Sequence, residues 1–369
     1  METAKVTSDI LKIASYSGHE RNLADYLFTE LLVMGHKPQK QDGNVVVRIE
    51  GKSKTKAIIF NAHMDTVSPG ALSLWRYPPY GKEAGIQDKG KIYGLGASDA
   101  KGSIASLLIL SKDLFKNPPE IDTWITFVCK EETGGDGTRS FLSWFSDKEW
   151  NKKYTEISAV ICGPTKMEEF HIGHRGNLHA EITVSGQGGH GAEPDQIKRH
   201  AILEATKIIE ELKKLEKVWS KKYADAVIGK PSIGITSISA GDPLSPNKFP
   251  DSCSFTIDVR TTPSLHKIAL GLIEKLARKF NSDVKTVYTP SPPGHTDKNA
   301  KIVECAKTLV KKVSLGKEST DLCFFSEIGI SGIILGAGSH DVSHKPNEYC
   351  EISEIELAIK TYRKLISLL

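Results

Sequence analysis

The stretch KAIIFNAHMDTVSPG, residues 56–70, runs from a block of apolar side chains into a histidine and an aspartate two positions apart. Its first part has the pattern of a strand buried on both faces, as strands are in a parallel sheet covered by helices. In open α/β sheets, reactive groups collect beyond the carboxyl ends of the strands. His63 and Asp65 follow such an end. The stretch therefore predicts an α/β fold with a functional site at its sheet edge.

Strands and helices alternate through the first part of the chain. Apolar strand patterns cover residues 44–50, 56–62, 122–130 and 157–163, and helical patterns cover 7–35 and 102–116. The same style returns near the end, with a strand pattern at 331–338 and a helical pattern at 352–369. This alternation predicts a mainly parallel central sheet with helices on both faces.

The middle of the chain has a different pattern. Strand patterns at 177–186, 232–241 and 251–263 alternate apolar and polar positions, and helical patterns cover 199–217 and 264–280. Half-exposed strands with two helices are typical of an α+β layer with one open sheet face. We therefore predict a catalytic domain formed by residues 1–174 and 291–369, interrupted by a smaller α+β domain at 175–290.

Length and composition narrow the class of protein. A chain of 369 residues is too long for one ordinary core. A net charge of +4 is small for this size and argues against a nucleic-acid partner. No stretch reaches the length of a membrane span. Six cysteines without CxxC spacing suggest free thiols in a reducing compartment, so a cytoplasmic protein is expected.

Acidic and histidine side chains follow four of the predicted strands or loops. They are His63 and Asp65, Asp99 in YGLGASDAKG, Glu131 and Glu132 after the strand at 122–130, and His340 and His344 after 331–338. Each alone also fits an ordinary surface loop. Together they match the mixed histidine and carboxylate ligands of a zinc ion or a zinc pair.

The spacing of these residues has a physical use. In His63-x-Asp65 the carboxylate can reach the far imidazole nitrogen, which would fix the tautomer of the ring. Adjacent Glu131 and Glu132 can divide their roles, one binding metal and the other holding a water proton. Glycines around Asp99 let the backbone approach a metal closely.

Six segments together resemble a known family. HMDTV, YGLGASDAKG, KEETGG, GHRG, GGHGAEP and SHKPNEYCEI occur in the order seen in the M20 metallopeptidases. That family includes acetylornithine deacetylase, succinyl-diaminopimelate desuccinylase, aminoacylase and carboxypeptidase G2-like enzymes. The resemblance implies a zinc-binding catalytic domain and a lid domain that often forms a homodimer interface.

The resemblance also implies a set of metal ligands. His63 would bind one zinc ion and His344 the other, Asp99 would bridge the two, and Glu132 would be a terminal ligand. Cobalt or manganese could replace zinc. In the family the peptide bond after the bridging aspartate is often cis, so the resemblance predicts a cis bond between Asp99 and Ala100.

Further residues acquire catalytic and substrate-binding roles from the same resemblance. Glu131 would be the general base and Asp65 the residue that orients His63. His190 in GGHGAEP would reach the site of a neighbouring subunit, although a loop histidine could equally be exposed to solvent.

Three lid residues match positions that hold substrate in the family. They are Arg175, Asn247 and Arg260, and arginine suits a substrate carboxylate because it offers two parallel hydrogen bonds. A structural ion pair is the alternative for Arg260.

One position departs from the family pattern. The family places an acidic ligand before a proline, whereas this chain has Gly163 in ICGPT. Cys162 should face the opposite side of its strand, because side chains alternate. Glu168 and Glu169 lie within reach of the gap, and nothing in the sequence orders them.

We expect a hydrolase that cleaves the amide bond of an N-acyl amino acid or a short peptide with a free carboxylate. A deacylase of the acetylornithine or succinyl-diaminopimelate type is the first expectation, and a dipeptidase or carboxypeptidase is the second. The alternative from another class is a non-catalytic binding protein on a degenerate hydrolase scaffold, which Gly163 favours. Glu131 argues against it, since this residue has little purpose outside catalysis.

Overall fold

The computed structural model describes residues 2–369 and divides them into two compact units. Residues up to 174, together with those from 294 onward, form the larger unit, and residues 175–293 form the smaller one. The chain thus leaves the larger unit once and returns to it.

The larger unit is built around an eight-stranded sheet. From edge to edge its strands are Gln39–Gln41, Asn44–Ile49, Ile121–Val128, Ser53–His63, Glu156–Ile161, Ser331–Ile334, Glu169–His171 and Lys312–Ser314. The four central strands, from Ile121–Val128 to Ser331–Ile334, run parallel. This confirms the predicted α/β fold with a mainly parallel central sheet.

Helices cover both faces of this sheet. One group of helices packs in the larger core cluster: Glu2–Leu11, Arg21–Val33, Gly102–Lys116, Lys301–Leu309 and Ile352–Leu368. A second group packs in a second cluster: Asp136–Asp147, Trp150–Lys153 and Leu322–Glu327. The strand Ser53–His63 contributes side chains to both clusters, because successive side chains point to opposite faces of the sheet. Ile58 and Phe60 pack in the first cluster, and Ala57 and Ile59 in the second. The apolar run in the sequence therefore reflects burial on two sides.

The smaller unit has a four-stranded antiparallel sheet covered on one face. Its order is Ser232–Ala240, Ser252–Thr261, Gly176–Ser185 and Ser282–Thr286. Buried and partly exposed residues alternate along the two central strands. The buried positions pack against the helices Ala201–Lys222 and Pro263–Arg278. The predicted half-exposed strands and both predicted helices are therefore present.

Two predicted elements differ from the structure. The helical pattern at 7–35 forms two helices, Glu2–Leu11 and Arg21–Val33. Tyr16 between them bridges to Thr66 as extended backbone, and Gly18 has a φ of +84° that ends any helical path. The last predicted strand is shorter, Ser331–Ile334.

None of the helices within residues 2–369 combines the length and the apolar character that a membrane crossing requires.

Candidate active site

Six of the predicted site residues come together at the carboxyl ends of the central strands of the large sheet. His63 is the last residue of its strand, Glu131 and Glu132 follow the neighbouring strand Ile121–Val128, and His344 lies in the loop after Ser331–Ile334. Lys130 and His344 have positive φ angles of 56° and 62°. Such angles are uncommon outside glycine and occur often at functional sites.

His63 and Asp99 are in direct contact. The Nε2 atom of His63 lies 2.9 Å from Oδ1 of Asp99. His63 is 9% exposed. Asp99 lies in the turn Ala97–Lys101, where its backbone is not helical, and the bond to Ala100 is cis as predicted. The prediction of this cis bond is confirmed.

Asp65 uses its carboxylate for more than the contact with His63 that the spacing predicts. Its Oδ1 atom is 3.5 Å from Nδ1 of His63, whereas that nitrogen lies 3.0 Å from the backbone oxygen of Asp65. The carboxylate instead accepts hydrogen bonds from the backbone N–H groups of Glu131 and Glu132 at 3.0 and 3.1 Å. The hydroxyl of Ser17 donates a further bond at 2.7 Å. Asp65 therefore fixes the backbone of the glutamate pair as well as the orientation of His63.

Asp99, Glu132 and His344 form a cluster of possible metal ligands. One ligand atom from each residue lies within 4.8 Å of the others, and no second group of this kind occurs within residues 2–369. Nε2 of His344 donates to Oε1 of Glu132 at 2.9 Å and lies 3.7 Å from Oδ2 of Asp99. Two carboxylates and one imidazole are the donor set of a divalent metal such as zinc.

Contacts between histidines and carboxylates at the site shift the pKa values of these groups. The hydrogen bond to Glu132 raises the pKa of His344 to about 9. Burial lowers the pKa of His63, but its hydrogen bonds to Asp65 and Asp99 outweigh burial and raise the value well above the usual one. Burial raises the pKa of Asp99, and the contact with His63 more than compensates and lowers it. The contact with His63 thus favours the ionised form of the Asp99 carboxylate.

The pKa of Glu131 is shifted in the opposite direction from that of Asp99. Burial raises the pKa of its carboxyl well above the usual range, and nearby Asp321, Glu132 and Asp99 raise it further. His63 partly opposes this shift. A carboxylate with a raised pKa takes up a proton more readily than an ordinary one, which suits a general base.

Glu348 is a site residue that the sequence analysis missed. It is 1% exposed, and its carboxylate accepts hydrogen bonds from the backbone N–H groups of Gly96, Ser98 and Asp99. Burial and the charge of Asp99 raise its pKa to about 7, against the effect of these hydrogen bonds. Its only signal in the sequence was its place in SHKPNEYCEI, four residues after His344.

Asp321 was also missed. It is 2% exposed beneath the site, and its Oδ2 atom accepts hydrogen bonds from Asn61 at 2.9 Å and Thr138 at 2.6 Å. Its Oδ1 atom is buried without a hydrogen-bond partner among the described residues. Burial raises the pKa of Asp321 to about 6. No sequence spacing links it to the other acidic residues.

Gly163 lies at the end of the strand Glu156–Ile161 and is buried. A Cβ atom at this position would lie 3.1 Å from Cγ2 of Ile334. Cys162 packs in the larger core cluster, and burial raises the pKa of its thiol to about 12. Glu169 pairs with Lys312 at 2.8 Å. Neither Cys162 nor Glu169 belongs to the cluster formed by Asp99, Glu132 and His344.

Two of the residues predicted in the lid lie side by side in the smaller unit. His190 is in a short two-stranded ladder with Lys248, and the N–H of Gly191 donates to the backbone oxygen of Asn247 at 2.6 Å. His190 and Asn247 are both exposed. The Nδ1 atom of His190 accepts a hydrogen bond from the N–H of Ala192, which leaves Nε2 directed away from this bond.

Arg175 and Arg260 also belong to the smaller unit. Arg260 pairs with Asp258 on its own strand at 2.8 Å. A structural ion pair of this kind was the alternative to substrate binding for Arg260. Arg175 donates to the backbone oxygen of Lys230 at 3.1 Å. Burial, with the charge of Arg260 nearby, lowers the pKa of Arg175. Both guanidinium groups thus have partners within the smaller unit.

Known proteins of similar sequence are hydrolases. A probable carboxypeptidase from Aspergillus terreus is 25% identical over 97% of this chain and 84% of its own length. An acetylornithine deacetylase from Aliivibrio fischeri is 26% identical over 84% of this chain and 80% of its own length.

Solved structures share the fold over the whole chain. An M20 family metallo-carboxypeptidase from Sulfolobus solfataricus superposes with a TM-score of 0.81 at 21% identity, covering 100% of this chain and 99% of the other. A protein from Bacillus subtilis described as a dinuclear metal-binding peptidase of the M20 family superposes with a TM-score of 0.68 at 15% identity, covering 99% and 96%.

The family model for peptidase family M20/M25/M40 matches residues 59–368. This match begins just before His63 and spans every residue of the cluster described above. The chain therefore belongs to peptidase family M20/M25/M40 and is an amide-bond hydrolase of that family.

Proposed function

We propose that the chain is a metal-dependent hydrolase that cleaves the amide bond of an N-acyl amino acid, or of a short peptide, with a free carboxylate. One observation carries this proposal. Asp99, Glu132 and His344 converge within 4.8 Å beside Glu131, a glutamate whose pKa is raised by burial.

Asp99, Glu132 and His344 would hold one divalent metal, and His63 with Asp99 would hold a second. Zinc fits this mixed donor set best, and cobalt and manganese are alternatives. When bound, the metal would polarise the scissile carbonyl and lower the pKa of water. Asp65 supports this arrangement, because it fixes both the ring of His63 and the backbone that carries Glu132.

Glu131 would act as the general base and then as the general acid. Its carboxylate takes a proton from the attacking water and returns it to the leaving amine. This role suits a side chain that is adjacent to a ligand and is not itself in the ligand cluster. The raised pKa of Glu131 favours the uptake of the proton from water.

A deacylase of the acetylornithine or succinyl-diaminopimelate type is the first candidate, supported by the similarity to acetylornithine deacetylase. A carboxypeptidase or dipeptidase is the second, supported by the similarity to the probable carboxypeptidase of Aspergillus terreus. Substrates of both types end in a carboxylate. Arg175, Asn247 and Arg260 would bind that group.

The smaller unit would serve as a lid and as the interface of a homodimer. His190 would then complete the site of the neighbouring subunit by contacting the scissile carbonyl. An exposed histidine beside exposed Asn247 agrees with such a role. We expect a cytoplasmic enzyme with no nucleic-acid or membrane partner.

A substrate panel with matched variants tests the proposal. The purified protein is assayed with N-acetyl and N-succinyl amino acids and with dipeptides, while its metal content is measured. Glu131→Gln should lower kcat by several orders of magnitude and keep the metal, since the base acts in the chemical step. Glu132→Gln should lower the metal content. Loss of metal in Glu131→Gln with retention in Glu132→Gln would reverse the two roles, and no hydrolysis of any substrate would contradict the proposed substrate class.

A further inference from the structure

We infer that Glu348 is a positioning residue for the metal centre, acting through Asp99 and His344. This inference rests on the proposed function, because it assigns Asp99 to a metal. It adds a residue that touches neither substrate nor metal but determines where a ligand carboxylate lies.

The carboxylate of Glu348 holds the turn that carries Asp99. Its Oε1 atom accepts hydrogen bonds from the backbone N–H groups of Ser98 at 2.9 Å and Asp99 at 3.1 Å. Its Oε2 atom accepts from the N–H of Gly96 at 3.0 Å. Three donors within four consecutive residues therefore point at one side chain. Because Asp99 itself is among them, the direction of its side chain depends on these hydrogen bonds.

Glu348 also connects the Asp99 turn to the loop of His344. Its backbone oxygen accepts a hydrogen bond from Gly94 at 3.0 Å. The strand Tyr349–Glu351, which follows directly, pairs with Lys91–Tyr93. Glu348 thus joins the Asp99 turn to the His344 loop through its side chain, through its backbone oxygen and through the strand that follows it. A displacement of Glu348 would change the distance between the two proposed ligands.

The surroundings of Glu348 explain why a carboxylate is needed. The residue is 1% exposed, so its carboxylate is shielded from bulk solvent. Lys101 is equally buried and close enough for the charge of Glu348 to act on it, and its Nζ atom donates to the backbone oxygen of Ile13 at 2.6 Å. A glutamine has one oxygen instead of two. In either orientation of its amide, at least one N–H of the turn would face an NH₂ group.

Cobalt(II) binding tests this inference with a readout that a merely structural role would not change. Metal-free wild-type protein and Glu348→Gln are titrated with cobalt(II) alone, and the visible absorption spectrum and the affinity are recorded. Partners that orient metal ligands typically account for about 10- to 100-fold in metal affinity. We expect a loss of this size, with altered cobalt bands.

Asp122→Asn provides the matched control. Asp122 is also a fully buried carboxylate that accepts a backbone N–H, from Gly51 at 2.9 Å. It lies near the start of the strand Ile121–Val128, at the opposite end from Glu131. This variant should lower thermal stability and leave the cobalt affinity and spectrum unchanged. If Glu348→Gln does not fold, Glu348→Asp is measured instead, since it keeps two oxygens on a shorter side chain.

The outcomes separate this inference from the proposed function. Wild-type cobalt affinity and spectrum in the folded Glu348 variant would overturn it. Equal losses of affinity in the Glu348 and Asp122 variants would also overturn it, since they would reflect general destabilisation. If the wild-type protein itself binds no cobalt, the proposed metal centre fails and this inference fails with it. Tight binding by wild type with weakened binding only in the Glu348 variant supports both.

Discussion

Asp65→Asn is the most informative change at the site, because the Asp65 carboxylate anchors the backbone of the glutamate pair. Its oxygens accept N–H groups from Glu131 and Glu132 at 3.0 and 3.1 Å. Asparagine has one oxygen, so one of these N–H groups loses its acceptor, at a cost of about 1 kcal/mol or more. The remaining hydrogen bond loses its charge assistance, at a cost of about 1 kcal/mol. We expect the free energy of unfolding to fall by about 2 kcal/mol.

Urea unfolding of the metal-free protein measures this change through tryptophan fluorescence. Four of the five tryptophans, Trp75, Trp124, Trp144 and Trp150, belong to the larger unit, so the signal reports mainly on that unit. For a unit of this size, about 2 kcal/mol corresponds to a decrease in Tm of about 4 to 8 °C. The variant should also have a lower kcat, because the backbone that carries Glu131 is no longer held.

Ser17→Ala is the control for this prediction. It removes only the hydroxyl bond to Asp65, which is 2.7 Å long, and should cost no more than about 1 kcal/mol. An Asp65→Asn protein that unfolds at the same urea concentration as wild type would refute the reasoning. The carboxylate would then act on His63 alone, as the sequence spacing suggested.

The remaining predictions concern the lid, the metal sites and a buried acid. Mixing His190→Ala subunits with Glu131→Gln subunits should restore activity if His190 crosses a dimer interface, and a strictly monomeric protein would contradict this. Gly163→Glu should raise the affinity of the weaker metal site in zinc titrations, whereas Gly163→Ala should not, and equal affinities in the two variants would exclude a ligand role. The pKa of Asp321 is raised to about 6, above about 3.9 for an unfolded aspartate, so metal-free protein should lose stability as pH rises from about 4 to about 6. Asp321→Asn should make this slope shallower, by up to about 3 kcal/mol in total, while the raised pKa values of Glu131 and Glu348 keep part of it. An unchanged slope in urea unfolding at several pH values would refute the assignment.

The fold was predictable because its strongest signals are local. A strand buried on both faces produces an uninterrupted apolar run, as in KAIIF, and half-exposed strands alternate, as between residues 177 and 186. The helix predicted at 102–116 has the same bounds in the structure. The region at 7–35 was harder, because the bridge of Tyr16 to Thr66 is a long-range contact that interrupts a continuous helical pattern.

The supporting residues of the site were not predictable, because their partners are distant in the sequence. Glu348 binds a turn about 250 positions earlier, and Asp321 bonds to Asn61 across 260 positions. Neither contact leaves a periodicity or a spacing that can be counted. Asp65 shows the same limit on a smaller scale. Its distance from His63 in the sequence is two residues, but its shortest carboxylate contact is to Ser17, on a different segment.

Gly163 makes the two halves of the proposed metal centre unequal. On the side of Glu132 and His344, these two side chains already converge with Asp99, which gives three possible ligands. On the other side the proposed ligands are His63 and Asp99. Two of the three residues considered for the gap are engaged elsewhere, Cys162 in the core and Glu169 with Lys312. Catalytic zinc normally has three protein ligands, so a site with two should bind more weakly. We therefore expect the Glu132 and His344 side to fill first when zinc is limiting, and two equally tight metals would show that another side chain, such as Glu168, moves into the gap.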